Sequence, residues 1–525
     1  MTKYLINRIL RALLSVILVV AVIMIMVYAC LDREAIFGSD PNYPKMLNNK
    51  KTIYMMQQWE KFGYLDFVLY TDYLKEEVKA GNITQEEMNA AATLGATPEK
   101  DSEATAKMVA AFKEKYDSLG YETDRKDGLM KIGTVKYKDG GNPYLYAYKD
   151  IPLTQRLVSY FTGLIKIDNI NNVDEIQGER GLSFTWYDPA YGGEKFSPAI
   201  MGNGTNHKYL LYCDDTFPSI HQNLVTVNLG LSFSINNGID VFSTMTDAQG
   251  PQKMRAITYP SGIVETTADD LHSLVHVPGS LETGGELMQR YYVDDYTGVT
   301  TAKSGMSQMG YSFVIGIISV ILAYLLAVPL GITMALNKDK LIDKIGTVYI
   351  VFIMAVPSLG YIFIFRAIGS LMKLPTTFNV QTPTWLMYVL PVISLSLPSI
   401  ANLMKWLRRY MIDQMNADYV KFARSGGLSE GQIFTKHVLK NAVIPIVHGI
   451  PASVLGALTG AIITERVYMV PGIGNVLTEA INKYDNGVIV GVALFYALLS
   501  VTSFILGDVL MSMMDPRISF TSKQR

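Results

Sequence analysis

The sequence predicts an all-α polytopic membrane protein with six transmembrane helices and an inserted α+β extracytoplasmic domain. Three observations carry this. Six apolar stretches are long enough to cross a bilayer, whose hydrocarbon core needs about 20 residues of helix. The loops between them alternate in Lys and Arg content, the asymmetry that marks the cytoplasmic side. Charge is also segregated: residues 31–305 hold 26 Lys and Arg against 37 Asp and Glu, a net of −11, while the rest of the 525-residue chain holds 20 basic and 10 acidic residues. An acidic, tyrosine-rich middle thus sits inside a basic, apolar frame. No basic face of the density that nucleic acid requires is present in that middle.

The first apolar run, residues 12–29, contains no charge and follows Lys3, Arg8 and Arg11. A cleaved signal peptide starts in the same way, but no A-x-A site follows. Val27-Tyr28-Ala29-Cys30 carries a bulky Tyr where a lipoprotein cleavage site is small. The run is expected to be a retained signal-anchor helix with the N-terminus inside.

Residues 32–305 are too many for a loop and must fold by themselves. Thr84-Gln85-Glu86-Glu87 has the form of a capping box, and Thr97-Pro98-Glu99 that of a second helix start, so 84–119 is expected to be a helical hairpin. Beyond Gly120 the alternation of Tyr, Lys, Gly and Asn, as in Gly133-Thr134-Val135-Lys136-Tyr137-Lys138, predicts strands and turns. The two cysteines, Cys30 and Cys213, form no disulfide framework and are expected to be packing residues. Of the six histidines only His272 and His276 have paired spacing, and a solvated surface pair is the expectation for them.

Five further apolar segments run roughly over 311–336, 345–370, 387–407, 443–465 and 488–513. Lys338, Lys340 and Lys344 follow the first of these, and Arg408, Arg409, Lys421, Arg424, Lys436 and Lys440 follow the third. That places both termini and the two basic loops in the cytoplasm, and 32–305 outside. The expected divisions are 1–31 with the first helix, 32–305 outside, 306–519 as a five-helix core with a cytoplasmic loop at 409–442, and a cytoplasmic tail at 520–525. Arg366 inside a span would cost about 2.5–3.5 kcal/mol facing lipid. It must therefore face a cavity or a partner, or snorkel outward, and together with His448 it is a candidate for a translocation path. Adjacent Glu465 and Arg466 suggest a helix-end ion pair, and Pro357, Pro391, Pro398 and Pro451 suggest kinks.

Catalytic chemistry is missing. The chain has no Walker A loop, no H-E-x-x-H and no complete G-x-G-x-x-G. Residues 425–432, SGGLSEGQ, hold fragments of an ATPase signature in scrambled order. No catalytic residue, metal site or cofactor is expected.

The informative motif is the basic loop at 417–445, ADYVKFARSGGLSEGQIFTKHVLKNAVIP. It predicts a helix–turn–helix projecting from the membrane, with Ala423 small enough for close approach and Gly427 free to take a left-handed turn. This loop resembles the E-A-A-x3-G element by which the permeases of ABC importers dock on their ATPases, and DYVKFARSGGL resembles its peptide-transporter form. Phe422 and Ala423 match the two alanine positions and Gly427 the glycine, while Lys421 stands in place of the acidic residue. RVYMVPGIG at 466–474, LGLS at 229–232 with Asn228 before it, AVPLGITMALNKDK at 327–340 and DPRI at 515–518 are similar to other stretches of that family. The family implies a type I ABC importer permease fold with no enzymatic activity of its own. It also implies a heterodimer with a second permease, two cytoplasmic ATPases and a lipid-anchored peptide-binding protein outside. Asp418, Tyr419, Phe422, Ala423, Arg424, Gly427 and Leu428 would form the ATPase-coupling loop. The large insertion resembles the streptococcal type and suggests a Gram-positive plasma membrane. Oligopeptide is the implied substrate; dipeptides or nickel chelates are alternatives, and a membrane-anchored ligand sensor or a polytopic enzyme are rivals of another class.

Overall fold

The computed structural model describes residues 2–132, 136–139, 141–214 and 219–514. Among these, five helices are long and apolar enough to cross a membrane: Ile6–Cys30, Gln308–Leu336, Leu386–Met415, Ile450–Tyr468 and Asn486–Met514. A further pair, Leu341–Ala355 and Ser358–Leu371, meets the same test jointly but is bent by 109°. The break falls at Val356-Pro357, since proline lacks the N–H that would continue the helix and disfavours a helical residue before it. Pro357 therefore does more than kink its segment. Pro391 and Pro398 lie inside the continuous Leu386–Met415 helix, and Pro451 opens Ile450–Tyr468 after Gly449.

The helices pack through small residues. Gln308–Leu336 runs along Leu386–Met415 with Ala323 and Ala327 fully buried, and a methyl group added to Gly331 would stand 3.2 Å from Leu407. Tyr311, Ile315, Met404 and Ala461 complete this core. The first helix lies on the last, joined by Val16, Val20 and Met24 and by an ion pair between Arg8 and Asp508 at 2.5 Å. Outward-facing Leu14, Leu325 and Val348 are 65–69% exposed, a surface that lipid or an apolar partner would cover favourably.

Between the first helix and Gln308 the chain forms a mixed helix–strand region. A three-stranded antiparallel sheet places Tyr144–Asp150 between Leu65–Leu69 and Glu122–Lys126. Helices Asn48–Lys61, Tyr70–Lys79 and Glu103–Ser118 cover it, with Trp59, Tyr70, Tyr73, Phe112 and Tyr146 in the core. A second, four-stranded antiparallel sheet runs Ile220–Gln222, Tyr209–Cys213, Phe196–Asn203, Gly181–Tyr187. Many of the tyrosines are therefore core residues.

Local expectations meet mixed outcomes. The capping box at Thr84 is present, with reciprocal bonds to Glu87, and opens Gln85–Ala91. The second helix starts later than expected: Pro98–Lys100 is a single 3-10 turn, and Ser102 caps Glu103–Ser118 by accepting from Thr105 N. Asp101, gripped by Gly95 N at 2.7 Å and by Arg125, holds the chain extended in between. Lys136–Asp139 does form a strand, paired with Leu129–Ile132, while Gly133–Val135 lie outside the described residues, as do 515–518 and the tail. Cys213 is buried, but Cys30 is exposed at the end of its helix and packs little. His272 is no surface residue. It is 1% exposed, with Nδ1 2.7 Å from Asp270 and Nε2 2.5 Å from Asp188, and its ring stacks on Tyr212 at 4.0 Å. Burial pushes its pKa down, but hydrogen bonds to the two carboxylates outweigh burial and raise it. His276 lies apart from it in a bridge to Tyr296.

Candidate functional site

The basic loop folds as a short helix, Asp418–Ser425, a turn, and a second helix beginning at Glu430. Gly427 makes the turn at φ +80°, a left-handed conformation that side chains disfavour. Ser429 and Gln432 then form a capping box. On the inner face, buried Val420 and half-buried Ala423 pack with Ile433, Val438, Leu407 and Met411. On the outer face, Phe422 is 79% exposed, an unusual position for a phenyl ring. Leu428 is also exposed, and its N–H donates to Ala423 O at 3.2 Å. Arg424 bridges the turn to Glu430 at 2.6 Å, and Asp418 pairs with Lys421 at 2.8 Å. The guanidinium of Arg424 holds Glu430 below the usual carboxylate range. Tyr419 fixes the start of the helix by donating to Gln414 Oε1 at 2.7 Å.

On both sides the loop continues into the membrane helices. Upstream lies Leu386–Met415; downstream, a π-helical stretch at Phe434–Leu439 leads into Lys440–His448. These same helices wall a cavity of about 710 Å³, together with Gln308–Leu336, Ser358–Leu371 and Ile450–Tyr468. Trp406 and Tyr410 from the upstream helix and Pro445 and Ile446 from the downstream one line it. Among the described residues no charged one does: its polar side chains are hydroxyls, an indole and an amide, among them Tyr324, Trp406, Asn402 and Ser453. Arg366 is half-buried on Ser358–Leu371 and lies off this wall. His448 also lies off it, against the last helix, where a methyl group on Gly507 would stand 3.2 Å from its Cε1. A search for charges in the spans passes over this wall. Asn402 inside an apolar run was the available signal.

Of two buried carboxylates, the sequence pointed Glu465 to the wrong partner and did not single out Asp485. Glu465 is fully buried and forms no ion pair with Arg466, which reaches Asn475 Oδ1 instead at 3.1 Å. Glu465 accepts from Ser312 Oγ at 2.6 Å and from Asn475 N at 3.1 Å, while Ser312 Oγ accepts from Ile473 N at 2.9 Å. The carboxylate thus holds the start of the Ile473–Asn482 helix, where its charge complements the helix dipole. This explains PGIG: a methyl group on Gly472 would stand 2.2 Å from Glu465 Cδ, and one on Gly474 2.5 Å from Ile462. Asp485, also fully buried, accepts from Ser232 Oγ at 2.7 Å, Ser234 N at 2.9 Å and Ile235 N at 3.0 Å. The LGLS segment is thereby fastened to the start of the last helix. At the opposite end of the bundle, Arg408 grips Asp343 with two bonds at 2.5 and 2.7 Å.

Comparison with known proteins agrees with this architecture. Residues 327–520 match the family described as binding-protein-dependent transport system inner membrane component. The oligopeptide transport system permease protein AmiC of Streptococcus pneumoniae is 34% identical, with 100% of this chain and 99% of that protein aligned. The dipeptide transport system permease protein DppB of Lactococcus lactis is 29% identical over 86% of its own length but 48% of this chain. The chain is therefore a multi-pass membrane protein belonging to the binding-protein-dependent permeases of ABC importers, transport subunits without enzymatic activity that work with a partner permease, ATPases and a substrate-binding protein.

Proposed function

We propose that this chain forms half of the translocation pathway of an oligopeptide importer, in a heterodimer with a second permease, with six spans, both termini and the 418–430 loop in the cytoplasm, and residues 32–305 outside. The observation that carries the reading is the continuity of the loop with the cavity. Leu386–Met415 and Lys440–His448 both end in the loop and both wall the cavity. A displacement of Asp418–Ser425 by closing ATPases therefore moves two cavity walls as rigid levers, the coupling that alternating access requires. Exposed Phe422 fits a hydrophobic groove on such a partner, and Asp418, Arg424 and Leu428 surround it.

The uncharged wall supports a peptide substrate. Hydroxyls and an amide can bond the backbone common to all peptides, and no fixed charge selects among side chains. Arg366, off the wall of this subunit, is proposed to meet the second permease, and His448 to serve packing between helices. The relative named for oligopeptide transport aligns over the whole chain, inserted region included. The test is reconstitution of the complete complex with its ATPases and binding protein in vesicles. Oligopeptides should stimulate ATP hydrolysis and accumulate inside; stimulation by dipeptides or metal chelates alone would replace the substrate assignment.

A further inference from the structure

A second cavity, of about 390 Å³, opens where the inserted region meets the first and last apolar helices. Its lining is amphipathic. Met24 and Val490 come from inside the two membrane helices, whereas Lys61, Arg156 and Tyr160 come from the inserted region. Arg156 sits on the helix Leu153–Thr162, with its guanidinium 4.4 Å from the Tyr28 ring and 4.1 Å from the Tyr64 ring, and its Nε donates to Gly63 O at 2.8 Å. Its Nη2 is buried without a hydrogen-bond partner, and among the described residues no Asp or Glu lines the cavity. The hydroxyl of Tyr160 and Oδ1 of Asn486, both on the same wall, are likewise buried and unpaired.

Buried polar atoms normally find partners, and a buried cation normally finds an anion. Here two donors, one of them charged, and one acceptor await a ligand beside an apolar floor. The complement is an anionic oxygen group, a hydroxyl and a hydrocarbon chain in one molecule. Flanking surfaces give the depth: Val158, Ile165 and Ile167 are 59–67% exposed, while Leu157 and Phe161 pack on the membrane helices. An apolar outer face beside the ends of two spans is the arrangement of an element lying at the headgroup level.

We propose that this cavity seats one anionic glycerophospholipid of the surrounding leaflet. The phosphate lies against Arg156 and Tyr160, a headgroup hydroxyl reaches Asn486 Oδ1, and an acyl chain follows Met24 and Val490. The lipid would join the inserted region to the first and last helices. The site does not depend on which solute is transported.

The test uses the full chain in its purified, delipidated complex. Dihexanoyl-phosphatidylglycerol, dihexanoyl-phosphatidylcholine and glycerol phosphate are titrated, with native mass spectrometry and thermal shift as readouts. Phosphatidylglycerol should saturate one site per chain and bind about tenfold or more tightly than phosphatidylcholine, since a charged hydrogen bond is at stake. Arg156→Gln should remove about tenfold of that affinity, and Tyr160→Phe about threefold. Equal affinity for the two lipids overturns the proposal. So does binding of glycerol phosphate as tight as that of phosphatidylglycerol, which assigns the site to a soluble phosphate. If Arg156→Gln fails to assemble, Tyr160→Phe decides, because it removes only a hydroxyl that has no partner in the protein; unchanged affinity in that variant overturns the proposal.

Discussion

In the membrane core, Glu465 and Asp485 are fully buried and draw their hydrogen bonds from backbone N–H groups and serine hydroxyls. In the inserted region, buried Asp101 and Asp188 accept from backbone too, Gly95 N and Ala190 N, but each also faces a cationic side chain, Arg125 and His272. The difference has a consequence in sequence. Backbone donors reach a carboxylate only where the chain approaches closely, so glycine is required: at Gly472 and Gly474, and at Gly487, where a methyl group would stand 2.2 Å from Leu231 O. A long side chain crosses the gap without constraining the backbone. Glu465 and Asp485 therefore leave short glycine-containing strings in the sequence, whereas the pairs Arg125–Asp101 and His272–Asp188, like Arg408–Asp343 in the core, rest on long-range partners.

The largest expected effect tests the inserted region's strategy. Arg125 is 9% exposed and reaches Asp101 at 2.5 and 3.0 Å, Asp127 at 3.0 Å and Gly95 O at 2.9 Å. Arg125→Ala strands Asp101, a loss of about 3–5 kcal/mol for a broken buried pair. Limited proteolysis of the purified chain should show that region cut while the membrane helices stay protected; uniform resistance would contradict the pairing.

Next comes the core. Gly472→Ala forces a methyl group into the Glu465 carboxylate and should cost about 2–3 kcal/mol through overpacking. Gly456→Ala, where an added methyl group meets nothing within 4 Å, is its control. Melting temperatures in detergent should fall for the first variant and hold for the second; equal melting would remove the steric account of PGIG.

A smaller effect is pH-dependent. The raised pKa of His272 means that its contribution is fully present below the unfolded imidazole value, about 6.5, and is lost as pH rises through the folded value. Asp270 is depressed, burial being outweighed by its bonds to His272, so its contribution is lost as pH falls through its folded value. The cluster, which Arg255 and Tyr209 also face, thus stabilises most between those limits. His272→Gln should cost about 1–3 kcal/mol near neutral pH and flatten the alkaline side of the melting profile. An alkaline limb as steep as in the unsubstituted chain would show that another group sets it.

What was legible in the sequence follows the reach of each interaction. The capping box of Thr84 with Glu87 and the left-handed turn at Gly427 depend on residues a few positions apart and form where expected, as do most of the apolar runs; the run at 345–370 instead breaks at Val356-Pro357. Ser312 and Glu465 are 153 residues apart, Ser232 and Asp485 are 253 apart, and Asp188 and His272 are 84 apart. Nothing local distinguishes such partners, so Glu465 suggested a pair with its neighbour and His272 a solvated surface. The late helix start at Ser102 has the same origin, because Asp101 is held by Arg125 from a strand beyond the helix.

The coupling loop completes the comparison, because the Phe422 ring on its outer face is exposed and so has little packing to lose. Phe422→Ala should change stability by less than about 0.5 kcal/mol yet depress peptide-stimulated ATP hydrolysis in the assembled complex. The most direct measurement is proximity. With exposed Cys30 replaced by serine and Phe422 by cysteine, a short thiol–amine cross-linker is applied to the complete importer. The account predicts an adduct between this chain and an ATPase subunit, strengthened when nucleotide closes the ATPases. A cysteine at position 422 that reacts freely with thiol reagents but yields no such adduct in any nucleotide state would contradict it.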